Sequence, residues 1–119
     1  MDTRPKTIIC DIDGTLVEHN IPSVTALSFA QIKLLDGAIE KLLEWERKGY
    51  NIILLTGRKE SMRKVTEQQL SSVGIFYDQL IMGVGGGERH LVNDIKPTGK
   101  LSAYAHNVER NVGVKGLEI

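Results

Sequence analysis

The stretch "TIICDIDGTLV", residues 7–17, begins as an apolar run and then sets two aspartates on either side of one isoleucine. Ile8, Ile9 and Cys10 read as a short strand buried on both faces. Asp11 and Asp13 come where that strand ends, with Gly14 and Thr15 directly behind them. Two carboxylates this close repel each other unless a cation is shared between them. One such aspartate alone would be an ordinary cap or turn residue. The meaning of the pair therefore depends on what else reaches the same place.

Further along the chain, Ile52 to Leu55 and "LIM" at 80–82 are similar short runs, and a shorter one, Leu91 and Val92, leads into Asn93-Asp94. Helical spacing lies between them. A first helix is expected from Asp36 as N-cap, through Ile39, Leu42 and Leu43, to a stop at Gly49. A second runs from about Ser61 through Met62, Val65, Leu70 and Val73 to Gly74. A third starts near Thr98 and carries Leu101, Tyr104, Ala105 and Val108. This alternation predicts an α/β fold with a mostly parallel sheet.

In an open parallel sheet, ligands bind beyond the carboxyl ends of the strands. Thr56 and Gly57 end the second strand and Asp94 the fourth, so their polar groups are expected to converge on the crevice that holds Asp11 and Asp13. Magnesium is the expected cation, since it is oxygen-seeking and is commonly held by one or two carboxylates plus waters and a phosphate oxygen. Asp11 can turn its side chain to the metal and to an incoming phosphorus. Asp13 can offer its backbone carbonyl and keep its carboxyl for proton transfer. Gly14 allows a sharp turn, and Thr15 supplies a hydroxyl or amide to a phosphate oxygen.

The 119 residues suit one domain, residues 1–119, with little room for a second lobe. Fifteen basic and fifteen acidic residues give a formal net charge of zero, without the positive field that favours nucleic acid, so a nucleic-acid partner is disfavoured. A single cysteine, Cys10, fits a reducing compartment and reads as a core residue. The charged start "MDTRPK" has no apolar segment suited to a signal or a membrane span, so a cytoplasmic location is expected. "GVGGG" at 83–87 is followed by Glu88 where a dinucleotide fingerprint needs a third glycine, and the sequence contains no P-loop motif. His19, His90 and His106 are too scattered for a zinc pattern.

"DIDGT" at 11–15 and "ILLTGR" at 53–58, with "LVND" at 91–94 as a reduced counterpart of a fourth motif, resemble the haloacid dehalogenase-like (HAD) phosphohydrolase superfamily. The resemblance spans residues 7 to 97. It implies a three-layer Rossmann-like fold with no cap domain and a magnesium-dependent phosphomonoesterase that works through an aspartyl-phosphate. Asp11 would be the nucleophile and Asp13 the general acid and base. Gly14, Thr15, Thr56, Gly57 and Arg58 would bind the phosphate, while Asp11, Asp13 and Asp94 would hold Mg2+.

The superfamily's usual lysine before the fourth strand is missing. Arg89 is the nearest cation before Asp94, but five residues of strand span about 16 Å, which puts it at the wrong end. Lys96 is therefore expected to replace the lysine as a catalytic cation, with Arg89 and Lys100 behind it. Ile95 stands where a further carboxylate is usual.

The first expected substrate is a small phosphorylated metabolite such as a sugar phosphate. The second is a nucleic-acid end or a phosphoprotein, and the third reading is a non-hydrolytic phosphate-binding or phosphoacceptor module. Val24, Leu27, Phe29 and Ile32 suggest a homo-oligomer joined through residues 20–32.

Overall fold

The computed structural model describes residues 3–19 and 31–119. Its centre is a parallel sheet of β1 (Thr7–Asp11), β2 (Asn51–Leu55) and β3 (Gln79–Ile81) in the order β1-β2-β3. Ile8 pairs with Ile52 and Asp11 with Leu55, while Leu54 pairs with Leu80, so the three carboxyl ends lie side by side. Crossovers between neighbouring parallel strands are right-handed. Because the order advances in one direction, α1 (Ala38–Arg47) and α2 (Arg63–Ser72) fall on the same face.

Alternation along the strands decides what that face buries. Ile8 and Cys10, Ile52 and Leu54, and Leu80 point into it and are buried with Leu42, Trp45 and Leu70. Each large apolar side chain so buried contributes about 1.5–3 kcal/mol. On α1, Ala38, Leu42 and Trp45 form the inward stripe, and Lys41 is buried along its stem while its Nζ donates to Glu44 at 3.2 Å. Arg47 in the last turn complements the carbonyl end of the helix. Beyond it the chain stops the helix at Gly49, whose amide donates to Glu46 O at 2.9 Å.

Several expectations are corrected. The strands are not buried on both faces, since Ile9 is 49% exposed and Ile81 42% exposed. Among the described residues, no third helix follows Thr98, and Leu91 and Val92 pair with no strand. The physical reason is that a short helix holds only when its apolar stripe has a surface to dock on, and Leu101 and Tyr104 are exposed. Residues 88–109 form a mostly exposed arm. Among the described residues, the two helices pack on one face of the parallel sheet, in keeping with the α/β fold expected.

Asp36 does not cap α1. Gly37 is the N-cap residue, with no side-chain cap bond, and Asp36 instead pairs with Gly113. Val24, Leu27 and Phe29 lie outside the described residues, while Ile32 packs partly buried against the core. Among the described residues, no helix is long and apolar enough to cross a membrane.

Candidate active site

β1 runs out at Asp11, and Ile12, fully buried, pins the chain before Asp13. The next residues form a tight turn in which the amides of Thr15, Leu16 and Val17 donate to Ile12 O at 3.1, 2.9 and 3.2 Å. Gly14 closes it, donating to Val17 O at 2.7 Å with φ 88°, a left-handed conformation that favours glycine. The amides of Gly14 and Thr15 are therefore used inside the turn. Thr15 has its hydroxyl left for a ligand.

β2 delivers the partner of Asp13. Arg58 Nε donates to Asp13 Oδ2 at 3.0 Å and Nη2 donates to Oδ1 at 2.8 Å, a bidentate pair. Arg58 Nη1 in turn donates to Thr66 Oγ1 at 3.2 Å and to Gln69 Oε1 at 2.7 Å on α2. Its side chain is 4% exposed and that of Asp13 20%. Arg58 was expected to bind phosphate, but its guanidinium is buried and committed to Asp13, Thr66 and Gln69. Thr66 and Gln69 have no part in the sequence reading. Their signal was available, since they are polar residues three apart on the buried side of a helix.

Thr56 is buried, and its hydroxyl accepts from the Arg58 amide at 3.1 Å, bending the chain at Gly57. The loop after β3 lies against this bend, with Gly83 N donating to Arg58 O at 2.7 Å and Val84 N to Thr56 O at 3.0 Å. That contact turns residues 83–89 over the strand ends. Arg89 Nη1 thereby reaches 3.1 Å from Asp11 Oδ1, with the two side chains 35% and 38% exposed.

Arg89, not Lys96, is the cation beside Asp11. The expected placement of Lys96 assumed a fourth strand leading away from the site, and among the described residues no strand forms there. Lys96 pairs with Asp94 at 3.2 Å on the surface. Lys100 contributes its carbonyl to the Lys96 amide at 3.0 Å. Asp94 also accepts from Ser102 Oγ through its main-chain oxygen at 3.1 Å.

Among the described residues no three His, Cys, Asp or Glu side chains come together to hold a metal. The expected set of Asp11, Asp13 and Asp94 is thus not assembled, because Asp94 ends no strand. The Asp11 carboxylate and the Asp13 main chain remain at one strand end. They suit a magnesium ion that keeps most of its waters.

Cys10, behind Asp11, is buried, and its Sγ donates to Asp11 O at 3.2 Å. Burial, with the Asp11 charge adding to it, pushes its thiol up to about 12. It is a packing residue and a poor nucleophile.

This geometry can be set beside known proteins. The phosphatase domain of polynucleotide kinase (PNKP), a HAD-type domain, matches residues 5–94. A solved chain from a Pnkp1/Rnl/Hen1 complex is similar at 37% identity over 72% of this chain and 30% of its own, with a TM-score of 0.59. Another, from the Pnkp1/Rnl/Hen1 RNA repair complex, shows 40% identity over 68% of this chain and 27% of its own, also with a TM-score of 0.59. The chain thus spans less than a third of the length of these relatives. No curated protein matches it. With the family likeness running through both strand ends that build the site, the chain belongs to the HAD phosphatases, in the family of polynucleotide kinase phosphatase domains.

Proposed function

We propose that the chain removes a terminal phosphate from a polynucleotide, the second of the substrate classes considered above. The observation that carries this reading is the match of residues 5–94 to the phosphatase domain of polynucleotide kinase. Similarity to chains of an RNA repair complex adds support. It revises the disfavour drawn from zero net charge, because a chain covering under a third of its relatives is a poor guide to the field of a whole assembly. Association with other repair proteins is part of the proposal. A homo-oligomer through residues 20–32 is a further one that light scattering decides.

In the proposed reaction Asp11 attacks the phosphorus in line, and the bond from phosphorus to the polynucleotide oxygen breaks. Asp13 gives that oxygen its proton. Water then attacks the aspartyl-phosphate, Asp13 takes the proton, and inorganic phosphate leaves. Arg58 fixes the orientation of Asp13, and each Asp13 oxygen keeps a second lone pair for this transfer. The Thr15 hydroxyl and the Gly57 amide are assigned to the phosphate oxygens. Arg89 offsets the repulsion between Asp11 and an anionic substrate. Magnesium, held by Asp11 and Asp13, would supply further charge neutralisation.

The test is a comparison of kcat/KM in magnesium buffer. Oligonucleotides carrying a 5′- or 3′-terminal phosphate are measured beside sugar phosphates. The proposal expects the best oligonucleotide to exceed every sugar phosphate by about tenfold or more. A sugar phosphate turned over as well as any oligonucleotide would return the assignment to a small metabolite.

A further inference from the structure

The segment Arg110-Asn111-Val112-Gly113-Val114 lies beyond the residues that carry the family likeness, yet it is built against the site. Its anchor is steric. Val114 is buried and its amide donates to Asp36 O at 2.9 Å. Gly113 lies so close to the same residue that a Cβ on it would come within 2.4 Å of the Asp36 carbonyl oxygen. Lys115 crowds Gly37 equally, its Cα 2.4 Å from where a Cβ would stand. No side chain fits at either glycine in the register the segment adopts.

That register delivers Asn111 to the turn after Asp13. The Asn111 amide donates to Gly14 O at 2.9 Å. Its side chain grips one residue twice, Oδ1 accepting from His19 N at 2.7 Å and Nδ2 donating to His19 O at 3.2 Å. Asn111 adopts φ 64°, a region asparagine enters more readily than most residues. The turn has other ties, Glu18 N to Lys33 O at 2.8 Å and Leu35 N to Leu16 O at 2.9 Å. Asn111 holds it at both ends, at Gly14 beside Asp13 and at His19.

We infer that Asn111 is a positioning residue of the active site. It acts through Gly14 and His19 to keep the turn that carries Asp13 and Thr15 in its working shape. The inference rests on reading Asp11 to Thr15 as the reacting segment. A shift of about 1 Å in a reacting group can lower a rate about a hundredfold, while exposed hydrogen bonds add little to global stability. The clamp therefore governs rate more than folding.

Three substitutions separate these effects. Asn111→Gly keeps the main-chain bond and the left-handed backbone but removes the clamp. Asn111→Asp keeps the acceptor for His19 N–H and loses the donor. Asn111→Ala adds backbone strain as a control. Each is read by kcat and KM for p-nitrophenyl phosphate, by thermal midpoint, and by amide hydrogen exchange across residues 14–19. For Asn111→Gly the expectation is a kcat lower by about tenfold or more with KM within about twofold. Its midpoint should move by no more than about 5 °C, and His19 N–H should exchange about tenfold faster. Asn111→Asp should recover part of the rate.

A kcat within about twofold of wild type for Asn111→Gly, or unchanged exchange at residues 14–19, overturns the inference. So does a rate loss that accompanies a midpoint drop of about 10 °C or more and is not recovered in Asn111→Asp, because that pattern belongs to a structural role. If the wild-type protein hydrolyses no phosphomonoester, the phosphatase reading fails. The exchange measurement still decides the clamp.

Discussion

Asp13 and Asp94 each have one cation beside them, and the two pairs behave as opposites. Asp13 is gripped by both arms of a buried guanidinium, itself tied to Thr66 and Gln69 on α2. Asp94 is 71% exposed and meets Lys96 through a single 3.2 Å contact. The first pair has its geometry set by the core. The second lies on the surface, where such pairs contribute about 0–1 kcal/mol. The contrast extends to the whole regions. Residues 11–19 and 56–58 are knit to the sheet and α2, while residues 88–109 form an exposed arm that touches the site through Arg89.

The largest effects should come from the knit region. Asp11→Asn is expected to lower turnover by about a thousandfold or more while leaving the fold intact, because the change is nearly isosteric and removes the nucleophile of the proposed reaction. Asp13→Asn should lose nearly as much, since it takes away the group assigned to protonate the leaving oxygen in the proposed reaction. Steady-state kinetics with circular dichroism as a folding check decides both. A near-wild-type rate in either would break the claim that this region reacts.

Arg58→Met comes next, and here stability is the readout. Removing one partner of a buried pair costs about 3 kcal/mol, and Thr66 and Gln69 also lose their donor. Urea denaturation should show the loss. Arg58→Lys should not restore it, because a lysine cannot reproduce the two-armed contact.

The comparison is sharpened by paired substitutions in the arm. Arg89→Ala should reduce kcat by about tenfold, whereas Lys96→Ala should change it by less than about twofold. The opposite order would mean that the Lys96 end of the arm, not Arg89, serves the site.

The smallest expected effect concerns Cys10. Its thiol is raised from 9.0 to about 12 in the folded chain, so the folded state holds the proton more tightly than the unfolded one. That contribution is complete below pH 9 and is lost as pH rises towards about 12. Wild-type stability should therefore fall more steeply over this window than that of Cys10→Ala. Native Cys10 should also resist iodoacetamide at pH 8.

Much of the fold was legible because its signals are local. The apolar runs at Ile8–Cys10 and Ile52–Leu55 and the stop at Gly49 need only neighbours in sequence to be understood. What was lost depended on distant partners. Asp36 looks like a cap until Gly113 arrives to pair with it. Leu101, Tyr104 and Val108 have helical spacing, but spacing forms no helix without a surface to cover. Arg58 reads as a phosphate ligand until Thr66 and Gln69 are seen to bury it. Arg89 ranks behind Lys96 by a strand-length argument that holds only if the strand exists. Asn111 carried no sequence signal, because its partner His19 is 92 residues away.

The central claim, that Asp11 carries the phosphoryl group taken from a polynucleotide end, is tested most directly by acid-quenching the protein during turnover of an oligonucleotide with a radiolabelled terminal phosphate. Label should be found on wild-type protein, be released by mild base as an acyl-phosphate is, and be absent from Asp11→Asn. Equal labelling of Asp11→Asn, or label on another residue, would contradict the account.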